Sequence, residues 1–344
     1  MKMKKTALLS LFVAGAIMLV ATPPSAIAGP FHGVVAQGPL RIDDFRKMGD
    51  GKVGTLRQLI TWQNFEASVG ARNWDRLDIL VGNAAANGVR VLPFLSGPGP
   101  TGTRMPPTDR YSRNAFARFA GAMANRYGRG GTFWRDRPSK PITAWQIFNE
   151  QNGPTYWKAR PNPRAYAKLL KATSKKITRQ DGRAEIVLGG MFGSPSGKGA
   201  IYSWAYLNKL YQLRGVKKAF DTVAVHPYSP NLRGVKYQIA KMRKVMRRNR
   251  DGRTKMRITE FGWGSSGPGP LNKTPARQAR LLKRSFGLFE SKRRAWKMKG
   301  ANWFSWQDWQ YDPTEACYFC PYSGLFYANR DPKPAWSAFK SVAR

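Results

Sequence analysis

The chain has 344 residues, and its 59 lysines and arginines against 19 aspartates and glutamates give a net charge of +40. A hydrophobic content of 42% is enough for a sizeable core, in one large barrel or in two ordinary domains. A structural zinc site needs four ligands, and besides its two cysteines the chain offers only two histidines, both of which are distant from them in the sequence.

The N-terminus has the pattern of a secretory signal peptide. Three lysines precede an apolar stretch from Ala7 to Ala21, and the small residues Ala26-Ile27-Ala28 offer a cleavage site. We expect cleavage near Ala28, and therefore an extracellular product made of residues 29–344. An uncleaved anchor is the alternative, but the apolar stretch is shorter than the ~20 residues that span a bilayer, and no cysteine follows for lipid attachment. No later segment is long and apolar enough to cross a membrane.

Eight strand-like runs follow, and a helix-like or turn-rich stretch comes after each. They are His32 to Gly38, Val53 to Trp62, Val89 to Ser96, Ile142 to Glu150, Glu185 to Phe192, Phe220 to Tyr228, Met256 to Trp263 and Ala301 to Trp309. Eight β/α units predict the α/β fold class, with residues 29–344 forming a single (β/α)8 TIM barrel.

Amphipathic helices are predicted between these runs, with recognisable starts. Pro163 and Pro275 suit the first helical turn, and Asn162 and Thr274 before them are candidate N-caps. The Gly/Pro-rich stretch from Gly97 to Pro107 resembles a linker, but it lies between the third strand and its helix. We therefore interpret it as a loop over the barrel mouth. The predicted helices are Trp74 to Asn87, Arg113 to Tyr127, Pro163 to Arg179, Val235 to Arg250 and Pro275 to Trp296.

Two of the six glutamates stand at the ends of apolar runs. Glu150 closes Ile142-Thr-Ala-Trp-Gln-Ile-Phe-Asn-Glu150, and Glu260 lies in Met256-Arg-Ile-Thr-Glu260-Phe-Gly-Trp263. Such runs are typical of buried parallel strands, and the carboxyl ends of barrel strands carry the chemistry of this fold. Paired carboxylates there predict the hydrolysis of a glycosidic bond.

Four motifs resemble the retaining (β/α)8 glycoside hydrolases of clan A, and most closely those of families 39 and 5. They are Trp145-Gln-Ile-Phe-Asn149-Glu150, Ile258-Thr-Glu260-Phe-Gly, His226-Pro-Tyr228 and Trp303-Phe-Ser-Trp306, on the predicted fourth, seventh, sixth and eighth strands. The resemblance covers nearly the whole of residues 29–344, in order and spacing. An Asn-Glu dipeptide alone would carry little weight.

The resemblance implies a role for each glutamate. Glu150 would be the general acid, later the base on water, and Glu260 the nucleophile that forms a glycosyl-enzyme intermediate. The expected reaction is cleavage of a β-linked poly- or oligosaccharide by double displacement. Two carboxylates about 5 Å apart disfavour charging both, so one pKa rises and supplies the proton near neutral pH. The alternative is that one glutamate only forms a salt bridge within the barrel.

The resemblance also implies supporting residues. Asn149 would bind the sugar hydroxyl beside the anomeric carbon, Tyr228 and Arg57 would keep Glu260 ionised and oriented, and His226 would line the sugar subsite. Each has a structural alternative: His226 as a core histidine, Tyr228 as packing and Arg57 as a surface-paired cation. The Arg57 segment fits the second-strand pattern of the clan only loosely.

Aromatic side chains are expected in the cleft, because pyranose rings stack on indole. Trp306 matches the eighth-strand tryptophan of the clan, and Trp62, Trp263 and Trp309 also lie at strand ends. With 12 tryptophans in the chain, many must belong to the core.

Cys317 and Cys320 form a Cys-Tyr-Phe-Cys motif. In a secreted chain an even pair predicts a short-loop disulfide, here beside the barrel mouth, rather than zinc or a redox pair. We expect no metal and no organic cofactor.

Most of the positive charge lies in helical stretches that would form the outer ring of the barrel. Salt screens charges over about 8 Å, so charges on the outer ring can attract a polyanion to the surface but cannot select the sugar bound in the cleft. We therefore expect a carbohydrate substrate, either a neutral β-glycan or an anionic polysaccharide, with nonspecific polyanion or cell-surface association through the outer helices. A specific nucleic-acid binder would interleave aromatic and basic residues on one face, which this chain does not do. A catalytically inactive carbohydrate- or polyanion-binding barrel is the remaining alternative. We expect a monomer, because like charges oppose self-association.

Overall fold

The computed structural model of the chain describes residues 31–312 and 317–343. The predicted signal peptide, residues 1–28, lies outside the described residues. Ten strands lie within the described ranges: β1 His32–Ala36, β2 Thr55–Thr61, β3 Glu66–Ser68, β4 Ala71–Arg72, β5 Arg90–Ser96, β6 Ala144–Asn149, β7 Glu185–Phe192, β8 Thr222–His226, β9 Lys255–Phe261 and β10 Met298–Phe304.

Eight of these strands close into one barrel in the spatial order β1, β10, β9, β8, β7, β6, β5, β2, and every neighbouring pair is parallel. Strands β3 and β4 form a separate antiparallel hairpin after β2. The prediction of a single (β/α)8 TIM barrel is confirmed, and each of the eight predicted strand regions overlaps a barrel strand.

Helices surround the barrel. They are α1 Ile42–Asp50, α2 Asp75–Ala86, α3 Arg110–Tyr127, α4 Pro154–Trp157, α5 Pro163–Gln180, α6 Ser203–Tyr211, α7 Leu232–Arg248, α8 Pro275–Ser291, α9 Arg293–Trp296 and α10 Pro334–Val342. The two predicted N-caps are present, since Asn162 and Thr274 accept hydrogen bonds from the backbone N–H groups of Ala165 and Arg277. None of the described helices is long and apolar enough to cross a bilayer.

The burial of the strands follows their composition. All six residues of β6 are buried, as expected for a parallel strand covered on both faces, with the barrel interior on one side and helices on the other. The last barrel strand differs from its prediction: β10 begins at Met298 and ends at Phe304, whereas the predicted run began at Ala301 and ended at Trp309. The residues up to Lys299 were predicted to belong to a charged helical stretch, but Lys299 lies within the strand, where it pairs with Glu185. Trp306 therefore follows the strand instead of lying on it.

Candidate active site

Glu150 directly follows β6 at the carboxyl end of the barrel. Its backbone N–H donates to the carbonyl of Gly190 on β7 at 2.9 Å, which fixes the residue at the mouth. Two residues at this strand end have positive φ angles, 74° at Phe148 and 44° at Glu150. Non-glycine residues avoid this region unless the surrounding structure holds them there, and such strain concentrates at functional sites.

Glu260 lies near the end of β9 and is buried. Arg57 donates from Nη1 to one carboxylate oxygen at 2.6 Å, and the Tyr228 hydroxyl donates to the other at 2.9 Å. Both donors favour the ionised carboxylate, because charge-assisted hydrogen bonds are stronger than neutral ones.

Arg57 itself is fully buried on β2 and has a partner on each guanidinium nitrogen. Its Nε donates to Gln146 Oε1 at 2.9 Å and its Nη2 to Asn149 Oδ1 at 2.7 Å, while the guanidinium lies 3.7 Å from the ring centre of Phe94. The arginine thereby orients Asn149 as well as Glu260. Its position is not that of a surface-paired cation.

His226, at the end of β8, lies beside both glutamates. Its Nδ1 is 2.7 Å from Glu150 Oε1 and 3.5 Å from Glu260 Oε2, and its Nε2 is 2.9 Å from the Thr259 hydroxyl. Burial, with the nearby charge of Arg57, holds the pKa of His226 well below its usual value. The imidazole is therefore neutral and links Glu150 to Thr259 by hydrogen bonds.

The two glutamates differ in electrostatic environment. Burial and the charge of Glu260 raise the pKa of Glu150 well above its usual value. Burial also raises the pKa of Glu260, but Arg57 and Tyr228 oppose this rise. Carboxyl oxygens of the two residues lie within 4.8 Å of each other. Such a pair holds one proton near neutral pH, which we place on Glu150, and leaves Glu260 ionised.

Comparison with known proteins agrees with this architecture. No protein-family model and no curated protein sequence matches the chain. Among solved structures, a family 39 glycoside hydrolase from Bacteroides cellulosilyticus WH2 superposes with a TM-score of 0.68 at 19% identity, covering 91% of this chain and 63% of that chain. The chain therefore has the same barrel fold as this glycoside hydrolase.

Two further solved structures are similar to the chain. A monomeric β-xylosidase from Caulobacter crescentus CB15 gives a TM-score of 0.66 at 16% identity, over 91% of this chain and 68% of that one. Xylanase 10B from Thermotoga maritima gives 0.62 at 15% identity, over 92% and 95% of the two chains. At such identities the likeness establishes the (β/α)8 barrel fold alone. The chain also spans less than two thirds of the length of the family 39 structure.

The barrel brings together six of the residues predicted for the site: Glu150, Glu260, Asn149, His226, Tyr228 and Arg57. Gln146 and Thr259, which position Arg57 and His226, were not predicted from the sequence. Both could have been recognised in the sequence, because each is a polar residue within a mostly apolar strand.

Three predicted tryptophans lie in packing positions. Trp62 and Trp263 are each 1% exposed; the first packs against Phe116, and the second donates from its indole to the carbonyl of Ser229. Trp306 is 2% exposed and donates to Asp44. Trp306 and Trp309 are among the residues that line a cavity of about 510 Å³, which lies between the segments that follow β1 and β10. Sugar contacts by these three residues stay predictions.

The aromatic ring beside the glutamates is instead that of Tyr228, which sits in a cluster. Its neighbours are Phe192, Phe304 and Phe319, at ring-centre distances of 5.4, 6.2 and 5.1 Å. Phe319 lies between Cys317 and Cys320, which form the predicted disulfide. The short loop closed by this disulfide therefore contributes directly to the packing around Tyr228.

Glu150, His226 and Glu260 are also the one group of three or more potential metal ligands found among residues 31–312 and 317–343. The donor set does not suit a cation well. The guanidinium of Arg57 already neutralises Glu260 at 2.6 Å, so a metal ion here would face a buried positive charge. The arrangement is better suited to proton transfer than to metal binding.

Proposed function

We propose that the protein is a retaining glycoside hydrolase that cleaves β-linked poly- or oligosaccharides by double displacement. The observation that carries the proposal is the environment of the buried pair: carboxyl oxygens of Glu150 and Glu260 lie within 4.8 Å, and only Glu260 is held by Arg57 and Tyr228. Retaining enzymes place their carboxyl groups about 5–5.5 Å apart, whereas inverting enzymes need about 6.5–9.5 Å to admit a water molecule.

In the first step Glu150 donates its proton to the glycosidic oxygen while Glu260 attacks the anomeric carbon. The bond to the leaving group breaks and a glycosyl ester forms on Glu260. In the second step Glu150, now ionised, removes a proton from water, which attacks the same carbon and releases Glu260. Loss of the negative charge on Glu260 in the ester lowers the pKa of Glu150, and this change suits Glu150 to both steps.

Asn149 and His226 support this chemistry. Arg57 orients the Asn149 side chain by binding its oxygen, which leaves the amide N–H group to donate to a sugar hydroxyl. His226, being neutral, contacts Glu150 without adding a charge to the site. Hydrogen bonds from such residues accelerate the reaction only to the extent that they become stronger in the transition state than in the ground state.

The proposal is tested by reducing-sugar release from neutral β-glycans and from uronate-containing polysaccharides, comparing the wild type with Glu150→Gln and Glu260→Gln. Release that both substitutions abolish, with product that keeps its anomeric configuration by proton NMR, supports the proposal. Product of inverted configuration would refute retention. Binding of glycans without any release would instead indicate a non-catalytic barrel.

We also propose that the protein is exported. The N-terminal pattern of residues 1–28 favours export, and the disulfide between Cys317 and Cys320 suits an oxidising compartment. N-terminal sequencing of the product recovered from the medium tests this proposal, with Gly29 as the expected first residue. Recovery of the uncleaved chain in the cell membrane would contradict it.

A further inference from the structure

A second large cavity lies at the end of the barrel opposite the glutamates. Its volume is about 800 Å³, and its lining includes Thr55, Glu185, Lys255 and Met298, which are the first residues of β2, β7, β9 and β10. Barrel strands are parallel, so these residues share the amino-terminal end. At about 3.3 Å per residue, a seven-residue strand places this end roughly 20 Å from the catalytic mouth. We call this cavity the basal cleft.

The basal cleft concentrates positive charge. Among the described residues, only two carboxylates form salt bridges with the cations of the cleft. Glu185, which is part of the lining, pairs with Arg257 and Lys299, and Asp181, which lies outside the lining, pairs with Arg129. These two carboxylates leave seven positive charges in excess. The nine cations are Arg90, Arg129, Arg183, Lys255, Arg257, Arg293, Arg294, Lys297 and Lys299.

Glu185 organises the floor of the cleft. It pairs with Arg257 at 3.2 Å and with Lys299, and it accepts a hydrogen bond from the Thr222 hydroxyl. Burial alone would raise the pKa of Glu185, but Arg257 and Lys299 outweigh it and lower that pKa to about 2. The carboxylate is therefore ionised at neutral pH and fixes two cations in place. Arg90, Arg183, Lys255 and Arg294 are exposed around the rim.

The remaining lining indicates the chemistry of a ligand. None of the described residues that line the basal cleft is aromatic, and Met298 is its one large apolar side chain. Nucleobases and pyranose rings are bound by stacking on aromatic side chains, which this cleft does not offer. Arginine presents a planar fork that pairs with two oxygens of a phosphate group. Six of the nine cations are arginines.

We propose that the basal cleft binds a polymer of phosphate groups, recognised by charge and arginine geometry rather than by stacking. Binding there leaves the mouth at the opposite end open, so that the barrel can be held on a phosphate-bearing polymer while the glutamates remain accessible. The site is independent of the glycosidase proposal, and its test is a binding measurement.

The test uses the chain from residue 29 to residue 344 and labelled inorganic polyphosphate, with fluorescence anisotropy at physiological ionic strength. The cleft variant combines Arg90→Gln, Arg183→Gln and Lys255→Gln. The matched control combines Lys236→Gln, Lys244→Gln and Arg248→Gln, which removes three cations from α7 and leaves the same net charge. We expect affinity to fall about tenfold or more in the cleft variant and about twofold or less in the control. Equal losses in the two variants would overturn the proposal.

Competition identifies the ligand class. Unlabelled polyphosphate should displace the probe at lower concentration than a sulfated polysaccharide, polygalacturonate or single-stranded DNA; stronger competition by any of these three would refute a phosphate-polymer site. Thermal unfolding of each variant checks that it is folded. If the triple cleft variant does not fold, Arg294→Gln, an exposed single substitution, should still weaken polyphosphate binding two- to threefold while Lys244→Gln does not. An unchanged affinity in Arg294→Gln would then overturn the proposal.

Discussion

Arg57 Nη1 lies 2.6 Å from Glu260 Oε1, although 203 positions separate the two residues in the chain. Their strands, β2 and β9, are not neighbours, since β1 and β10 lie between them in the barrel. The guanidinium therefore reaches across the barrel interior, and the pair forms only when the barrel has closed. One buried contact thus links the completion of the fold to the ionisation of the proposed nucleophile.

Replacing Arg57 by methionine should affect both activity and stability. Without the guanidinium the pKa of Glu260 rises further, so its carboxylate is protonated up to a higher pH. The acid limb of kcat/KM should therefore move to higher pH, with activity lost first on the acidic side. Removing one partner of a buried ion pair typically costs about 3–5 kcal/mol in the free energy of unfolding, which urea denaturation measures.

Arg126→Met is the matched control for this prediction. Arg126 pairs with Asp78 on the outer helices, where both side chains are partly exposed. The pair is bidentate, so its loss also costs stability, but it lies away from the glutamates. The control should keep the wild-type pH profile. An unshifted acid limb in Arg57→Met would show that the guanidinium does not hold Glu260 ionised.

Tyr228→Phe should separate chemistry from packing. The substitution removes the hydroxyl that donates to Glu260 at 2.9 Å but keeps the ring stacked on Phe192. A hydrogen bond to a charged group contributes about 1.5–3 kcal/mol, so kcat/KM should fall about 10- to 100-fold, and its acid limb should move to higher pH. The midpoint of thermal unfolding should change little.

Tyr211→Phe provides the comparison. This residue also donates to a carboxylate, Asp251, at 2.6 Å, but it lies on the outer helix α6. Its loss should leave kcat/KM and the pH profile as they are. If Tyr228→Phe behaves in the same way as Tyr211→Phe, the hydroxyl of Tyr228 has no part in the reaction.

The sequence was sufficient to predict the barrel and the positions of both glutamates. The reason is physical: a parallel strand buried on both faces is an apolar run, so a glutamate at its end is conspicuous. The tryptophans carried no such signal, because indole serves equally well in a core and in a sugar cleft. Trp62 and Trp263 are in fact buried among other side chains, whereas Trp306 and Trp309 line a cavity.

Close approach of the backbone to His226 makes Gly190 sensitive to substitution. A Cβ atom built on Gly190 would lie 2.0 Å from His226 Nε2 and 2.6 Å from Thr259 Oγ1. Gly190→Ala should therefore displace the imidazole from Glu150, lowering kcat/KM, and should cost about 1–3 kcal/mol in the free energy of unfolding from overpacking. Steady-state kinetics and urea denaturation measure the two effects.

Gly287→Ala tests whether the effect is specific to the site. Gly287 lies within α8, and beyond the backbone of that helix no atom of the described residues lies within 4 Å of the position that an alanine methyl group would take. Alanine should stabilise this helix by about 0.4–1 kcal/mol and leave kcat/KM unchanged. Wild-type activity in Gly190→Ala would mean that the ring of His226 can move without consequence.

The basal cleft could not be predicted from the sequence. Its cations come from loops, from the short helix α9 and from the first residues of strands that are far apart in the chain, whereas most of the charge was predicted to lie on the outer helices. Only closure of the barrel brings Arg90, Arg183 and Lys255 to one end. The net charge of the chain indicates that it attracts anions, but where on the surface they bind depends on the fold.

Glu185→Gln should show how much the Glu185 carboxylate stabilises the fold by pairing with the cations of the basal cleft. The pKa of Glu185 is about 2 in the folded protein against an ordinary value of 4.5, so the carboxylate stabilises the fold above pH 4.5, and this contribution is lost as the pH falls towards 2. A shift of this size corresponds to about 3 kcal/mol at neutral pH, and its removal also leaves Arg257 and Lys299 without their shared partner. Urea denaturation at pH 7 should show this loss, and the difference from the wild type should narrow as the pH falls below 4.5.

Glu290→Gln removes the same charge beside a partner that is neutral. Glu290 lies 3.3 Å from His32, but burial and the charge of Arg293 lower the pKa of His32 to about 4, so the imidazole is uncharged at pH 7. This substitution should change the free energy of unfolding by about 0.5 kcal/mol or less. Equal costs for the two substitutions would show that the pairs with Arg257 and Lys299 add nothing, and that the cations of the cleft tolerate one another without Glu185.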